Sequence, residues 1–302
     1  MTQMTAKKIW MDGELVDWDA ATVHVSSFGL HYGAGFFEGI RCHSTPDGPA
    51  IFRLTDHLQR LRRSAAVYSF ELPYPVEELA QACKDVVSAN GLTDCYLRPI
   101  VFLGAADSLI EAEFRAAVIA TEKGPLVGVP KDSGVKAHIS GIRRMSPNSI
   151  PPAAKATGQY LNSYLAEFEA VMSGYDEAIL LNESGRVADG WAHNIFAVTN
   201  GVLATPPISA GVLPGITRAT VMTLAREDGI EVREQDLVRS DLYLADECFL
   251  TGTAAGVVPV ISVDHRGIGD GKPGPLTVNL RDRLTQIMNG ADDAHPEWRE
   301  FV

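Results

Sequence analysis

Apolar and polar positions alternate over short stretches in the first part of the chain and then settle into helical spacing. KIWMDGELVDW, ATVHVSS, FFEGIRCH and PAIFRL read as short strands, broken by turn signals at Asp12-Gly13 and Asp47-Gly48. From about Thr55 the period lengthens. Leu58, Leu61, Ala65 and Tyr68 return on one helical face, and Thr55 can cap that helix. A second helix is expected over Pro75 to Ala89, and CYLRPIVFLG reads as a buried strand.

The stretch Lys123 to Gly134, KGPLVGVPKDSG, is rich in glycine, proline and charge, which suits a connection between lobes. Beyond it VKAHIS reads as a strand, and a polar loop with prolines leads to a helix over Tyr160 to Met172. Two hairpins follow: EAILLN faces RVAD across Glu183-Ser184-Gly185, and NIFAVT faces VLAT across Asn200-Gly201. A helix after Gly215, a strand at ECFLT and a helix over PLTVNLRDRLTQIM complete the pattern. The expected class is α+β in two lobes: a small domain over 1–123, a loop over 124–134 and a large domain over 135–302. Two cores suit 302 residues better than one.

Composition changes this picture little. With 46% hydrophobic and 21% charged residues the chain reads as an ordinary soluble globular protein. Its net charge of −12 comes from scattered acidic residues, and no Lys/Arg-rich run offers a surface to nucleic acid or anionic membrane. Met1 to Asp12 lacks the apolar core of a signal peptide, and no run of about 18 apolar residues occurs, so a cytoplasmic protein is expected. Cys42, Cys83, Cys95 and Cys248 stand far apart without ligand spacing. They read as reduced core thiols; no disulfide framework, metal site or nucleophilic cysteine is expected.

Candidate chemistry begins at Lys155, the one formally charged side chain between Arg144 and Glu167, set among small and apolar residues in SPNSIPPAAKATGQY. Loss of solvation favours a neutral amine, which can condense with an aldehyde. A loop lysine is more often merely solvated; on this feature alone that reading prevails, and the feature does not decide for the reactive one.

The order and spacing of several stretches do. KIWMDGELV, VHVSSFGLHYGAGFFEGIRC, HLQRLRRSA, YLRPIVF, NSIPPAAKATGQYLNS, LPGITR, LYLADECF and TGTAAGVVPV together resemble a class IV, fold-type IV aminotransferase of the branched-chain group. The resemblance covers nearly the whole chain. It implies a two-lobed enzyme, each lobe a mainly antiparallel sheet or barrel with packed helices, using pyridoxal 5′-phosphate to move an amino group between a small apolar L-amino acid and 2-oxoglutarate. It also implies a homodimer or higher homo-oligomer.

Carried over residue by residue, the resemblance makes Lys155 the lysine that binds the cofactor's aldehyde and later moves the proton between Cα and C4′. Arg60 matches the phosphate-binding arginine, although Arg62 and Arg63 stand beside it. The amides of Ile216 and Thr217, where LPGIT opens a helix, and the hydroxyl of Thr253 would also reach the phosphate. A Pro-Gly before a helix is ordinarily only a turn. Tyr160 resembles the tyrosine at the ring's phenolate oxygen, and the amides of Ala254 and Ala255 the pair that accepts the α-carboxylate. Tyr96 and Arg98 alternate onto one face of a strand, where the family reaches substrate carboxylates. Tyr32, Phe37 and Gly39 match residues lining the side-chain pocket; for the aromatics, and for Tyr160, core packing is the bland alternative.

The pattern departs at three places. Where the family places a glutamate beside the pyridine nitrogen, VADGWAHNIFAV puts Asp189-Gly190, and His193 stands where many relatives have a second glutamate before Asn194. TEKGPLVG replaces an aromatic-rich segment, with Lys123 near a usual tryptophan, and GAADSLIEAEF is short. Two other outcomes stay open at this stage. One is a different pyridoxal reaction on the same scaffold: aminodeoxychorismate lyase-like elimination, D-amino acid transamination, or side-chain isomerisation with a partner enzyme. The other is a cofactor-binding subunit that has lost turnover.

Overall fold

The computed structural model describes residues 6–108, 110–122 and 133–302. Most of the expected connection at 124–134, and Lys123 before it, lies outside these residues. Along the chain run β1 (Lys8–Met11), β2 (Glu14–Asp17), α1 (Phe28–Tyr32), β3 (Gly35–Phe37), β4 (Ile40–Thr45), β5 (Gly48–Phe52), α2 (Leu54–Val67), α3 (Val76–Ala89), β6 (Cys95–Leu103) and β7 (Phe114–Thr121). After them come β8 (Val135–Arg143), α4 (Tyr160–Met172), β9 (Glu177–Leu181), β10 (Val187–Gly190), β11 (Asn194–Thr199), β12 (Val202–Thr205), α5 (Ile216–Glu227) and β13 (Val232–Glu234). The chain ends with α6 (Arg239–Tyr243), β14 (Glu247–Gly252), β15 (Gly256–Val263), β16 (Arg266–Gly267), α7 (Pro275–Met288) and β17 (Arg299–Phe301).

Two compact units result, and each is discontinuous in sequence. The first takes the described residues of 1–126 together with 154–158 and 286–302; the second takes those of 127–153 and 159–285. Two stretches that sequence grouped with the large domain thus pack in the first unit. Hydrogen bonds explain both. β17 pairs antiparallel with β5, and Ala156 bridges Phe36 while the Phe37 amide donates to the Lys155 carbonyl (3.2 Å).

In the first unit the strand order is β17-β5-β4-β6-β7-β1-β2, with β3 also on β6, and every pairing is antiparallel. The β1–β2 hairpin turns on Asp12 and Gly13, both left-handed (φ 49° and 98°), which suits a two-residue turn between twisted strands. Leu58, Leu61 and Ala65 bring the predicted face of α2 into a core with Leu79, Val86, Ile40, Ile51 and Leu97. ATVHVSS forms no strand. The Ser27 hydroxyl donates to the His24 carbonyl (2.7 Å) and Ser26 Oγ meets His24 Nδ1 (2.6 Å), so local side-chain bonds displace a ladder.

The second unit holds the order β10-β9-β8-β15-β14-β11-β12-β13, with β16 on β15. It is mixed: β8 runs parallel to β9 and β15, and β12 parallel to β13, while the remaining pairs are antiparallel. The predicted hairpin at Asn200-Gly201 is present, with φ of 50° and 76°.

Thr55 does not cap α2. Arg53 precedes the helix in the left-handed region (φ 53°), and Thr55 lies inside, giving its amide to Glu300 Oε1 (2.8 Å) and its hydroxyl to Oε2 (3.0 Å). A carboxylate from β17 therefore satisfies a first-turn donor and favours the positive end of the helix dipole. Glu300→Ala is expected to lower stability by about 1 kcal/mol, seen as a lower urea midpoint at unchanged slope. Thr55→Ala keeps the amide bond and should cost less; a Glu300→Ala midpoint equal to that of the parent would refute the cap.

Candidate active site

In the first unit the chemistry gathers around a buried carboxylate. β3 ends at Phe37 and leads into Glu38, which is fully buried and accepts Nε and Nη2 of Arg60 side by side (2.7 Å each). His57, one helical turn before Arg60, lies with Nδ1 2.7 Å from the same carboxylate. Burial raises the Glu38 pKa, but the charges and hydrogen bonds of Arg60 and His57 outweigh it and hold the carboxyl well below its usual range. Burial likewise lowers the pKa of His57, against the pull of Glu38. Arg60 is 4% exposed, whereas Arg62 and Arg63 face solvent, so structure separates three arginines that sequence could not.

Lys155 is fixed beside this group by its backbone. Its amide donates to Ser64 Oγ (2.9 Å), one turn beyond Arg60, and Thr157 Oγ1 donates to the Gly33 carbonyl (2.6 Å). Gly33 is left-handed (φ 63°), and a Cβ there would meet Gly158 Cα at 2.6 Å, so two glycines permit the close approach. Lys155 Nζ lies 4.9 Å from the centre of the Phe37 ring, and the Arg98 guanidinium stacks on the same ring at 4.7 Å. Arg98 also donates to Tyr96 Oη (3.0 Å), and a Cβ on Gly39 would overlap that hydroxyl. Five expected residues, Lys155, Phe37, Arg98, Tyr96 and Gly39, are thus neighbours. Tyr32 ends α1, 70% exposed, its ring stacked on Phe28.

In the second unit Asp189 and Tyr160 line one cavity with Arg144, Gln159, Ser163, His193, Asn194 and Leu213. Asp189 is 4% exposed. Its Oδ1 accepts Asn194 Nδ2 and its Oδ2 the Leu213 amide (2.8 Å each), with Arg144 Nη2 at 3.8 Å. Burial raises its pKa, opposed by Arg144, the Leu213 amide and Asn194. A carboxylate offers about four lone-pair sites, so two bonds leave acceptor capacity toward the cavity. Arg144 is itself oriented, donating to the Gly211 carbonyl and to Ser163 Oγ (3.2 Å each).

Ile216 and Thr217 open α5 after Gly215, where a Cβ would overlap the Asn194 carboxamide. Thr253, Ala254 and Ala255 form the half-buried turn between β14 and β15. Across from it, the turn from Asp189 to Asn194 is closed by the Gly190 amide on the His193 carbonyl (2.7 Å). Glu177 of β9, 1% exposed, receives the Trp191 amide on Oε1 (3.1 Å) and His193 Nδ1 on Oε2 (2.9 Å). Because a carboxylate only accepts, Nδ1 carries the hydrogen.

Glu38, His57, Arg144, Glu177 and Ser64 are the residues that sequence reasoning missed. The i, i+3 spacing of His57 and Arg60 was the one local signal; the others are partners only in three dimensions.

The first unit thus sets Lys155 beside a buried guanidinium, and the second sets the buried Asp189 carboxylate in one cavity with the Tyr160 phenol. Residues 35–263 match the family model for amino-transferase class IV, and the chain belongs to that family. It is similar along its whole length to the branched-chain-amino-acid aminotransferase of Salmonella typhimurium: 44% identity over 100% of this chain and 99% of the relative. The crystal structure of Escherichia coli branched-chain amino acid aminotransferase matches with a TM-score of 0.94 and 42% identity, covering 98% of this chain and 99% of that one. A crystal structure of the T.th. branched-chain amino acid aminotransferase with pyridoxamine 5′-phosphate matches at 0.95 and 40%, with 99% of each covered. The two-lobed α+β, fold-type IV architecture expected from sequence is the observed one. No described helix is long and apolar enough to cross a membrane.

One titration follows from the Glu177 cluster. Burial, and then the charge of Glu177, push the Glu167 carboxyl on α4 up from 4.5 to about 7. Between these values the unfolded chain releases the proton and the folded chain keeps it, so stability falls as pH rises through the window and levels above it. Glu167→Gln is expected to make that slope shallower and add about 1 kcal/mol above neutral pH, after allowing for solvent screening of a half-exposed group. Urea unfolding of parent and variant across the window checks this, and a slope unchanged by the substitution would contradict it.

Proposed function

We propose that this chain transfers the amino group of a branched-chain-type L-amino acid to 2-oxoglutarate in two half-reactions, with pyridoxal 5′-phosphate as its cofactor. The observation that carries the reading is the buried Asp189 carboxylate, facing a cavity that it shares with Tyr160. Burial works against its charge, and a protonated pyridine nitrogen is the cation that would answer it. The full-length similarity to branched-chain aminotransferases, one of them described with pyridoxamine 5′-phosphate, supports both cofactor and substrate class.

When bound, the cofactor supplies an electron-poor ring that stabilises negative charge at the substrate Cα. The remaining work falls to this chain. Lys155 would hold the cofactor's aldehyde and supply the amine that moves a proton at the substrate Cα. Asp189 would face the ring nitrogen and favour its protonated form, and the Tyr160 hydroxyl would donate to the ring oxygen. Arg60, made rigid by Glu38, would grip the phosphate with a charge-assisted contact, and the Ile216 and Thr217 amides at the positive end of α5 and the Thr253 hydroxyl would serve the same group. Ala254 and Ala255 amides take the α-carboxylate. Arg98 and Tyr96 orient a second carboxylate such as that of 2-oxoglutarate, and Tyr32, Phe37 and Gly39 bound the apolar side chain.

The same proposal includes a homodimer. Leu161, Leu165, Phe168 and Met172 line α4 with exposures between 54% and 71%, while only Ser163, Ala166 and Ala170 of that helix are buried. A contiguous apolar helix face of this kind favours cover by a second copy. Residence in the cytoplasm belongs to it too, supported by four cysteines buried as thiols.

The test is a half-reaction with L-isoleucine and, on separate enzyme loaded with pyridoxal phosphate and kept free of amino donor, borohydride reduction and peptide mapping. Conversion of bound pyridoxal to pyridoxamine phosphate by the L and not the D enantiomer is expected, with the reductive label on Lys155. A label on another lysine, or conversion by D-isoleucine alone, would overturn the reading.

A further inference from the structure

His193 stands where no role had been assigned, and its surroundings define one. The turn that carries Asp189 at one end and Asn194 at the other is held at three points. Its ends are tied by Asn194 Nδ2 on Asp189 Oδ1 (2.8 Å), and its backbone closes through Gly190 and His193 (2.7 Å). The third point is Glu177, one carboxylate receiving both the Trp191 amide and the His193 ring.

The imidazole is also confined on its other edge. A Cβ on Gly252 would lie 2.6 Å from His193 Cδ2, so the ring presses on the last residue of β14, next to Thr253. Trp191 meets it edge-on, with centroids 6.3 Å apart. A rigid ring in such a seat transmits position: shifting it moves the turn that presents Asp189 or the turn that presents Thr253. Without its donor, Glu177 would keep a buried oxygen unpaired, and groups in that state cost more than the hydrogen bond itself.

We infer that His193 is a positioning residue for the reaction, holding the Asp189 carboxylate at the ring nitrogen through its Nδ1 hydrogen bond to Glu177. The inference rests on the reading of Asp189 given above. It goes beyond that reading by naming what fixes the carboxylate of a shorter side chain.

Holoenzyme variants separate position from mere packing. His193→Asn puts a carboxamide N–H near the place of Nδ1 and should keep the half-reaction rate per bound cofactor within about threefold of the parent. His193→Phe keeps an aromatic ring and loses the donor. It should slow the half-reaction at least tenfold per bound cofactor and raise the kinetic isotope effect with Cα-deuterated L-isoleucine, because loss of the Cα proton becomes the slow step. A purely structural role would lower thermal stability and cofactor retention while leaving both readouts unchanged. If the phenylalanine variant does not fold, His193→Gln, whose donor sits one bond further out, gives the same comparison. Asp189→Asn in the same assay tells two failures apart. An unchanged rate and isotope effect there sinks the reading of Asp189 itself. A slow Asp189→Asn with His193→Phe or His193→Gln at the parental rate and isotope effect overturns only the role of His193.

Discussion

A carboxylate taken out of water has to find its donors within the chain, and among the described residues Glu38, Asp189 and Glu177 do so around the candidate site. Glu38 is answered by Arg60 and His57 from one helix, Asp189 by Asn194 and the Leu213 amide, and Glu177 by His193 and the Trp191 amide. Removing one partner of a buried pair generally costs about 3–5 kcal/mol, because the other is left charged and alone. Elements that supply these donors are thereby fixed relative to the carboxylate that receives them, more tightly than apolar contacts, which tolerate repacking, would fix them. The groups proposed for chemistry are themselves members of these clusters or stand next to them.

That arrangement links sequence to function in a particular way. Arg60 belongs to a helix whose apolar face needs only Leu58, Leu61 and Ala65 to dock, yet its guanidinium direction is set by Glu38, which arrives on the chain after β3. Lys155 lies in a five-residue stretch that leaves the surrounding unit of sequence to join the sheet carrying Phe36 and Phe37. In each case the backbone is committed by ordinary hydrogen bonds, and the reactive side chain inherits its place.

Local patterns were legible wherever local chemistry decides. The Asp12-Gly13 and Asn200-Gly201 turns, the buried face of α2 and the span Tyr160–Met172 all follow from turn residues and periodicity. Alternation misled at ATVHVSS, where His24, Ser26 and Ser27 bond to one another instead of to a neighbouring strand. β15, with Pro259 in its middle, and the terminal β17 carry no local signal strong enough to declare a strand, and their pairing depends on distant partners. For the candidate site, resemblance named the residues that would touch cofactor or substrate. It did not name Glu38, Glu177 or Arg144, because the identity of a buried charge's partner is set by tertiary contact.

Aspartate at position 189 is the departure on which the account turns, since one methylene less must be recovered by the backbone or by its neighbours. The Leu213 amide, Asn194 and Arg144 hold the shorter side chain at the wall of the cavity, with lone pairs to spare. The most direct measurement is the nitrogen-15 chemical shift of the ring nitrogen in holoenzyme prepared with labelled pyridoxal phosphate. A protonated nitrogen is expected in the parent enzyme and a neutral one in Asp189→Asn. A shift that is the same in both would show that Asp189 does not serve the ring.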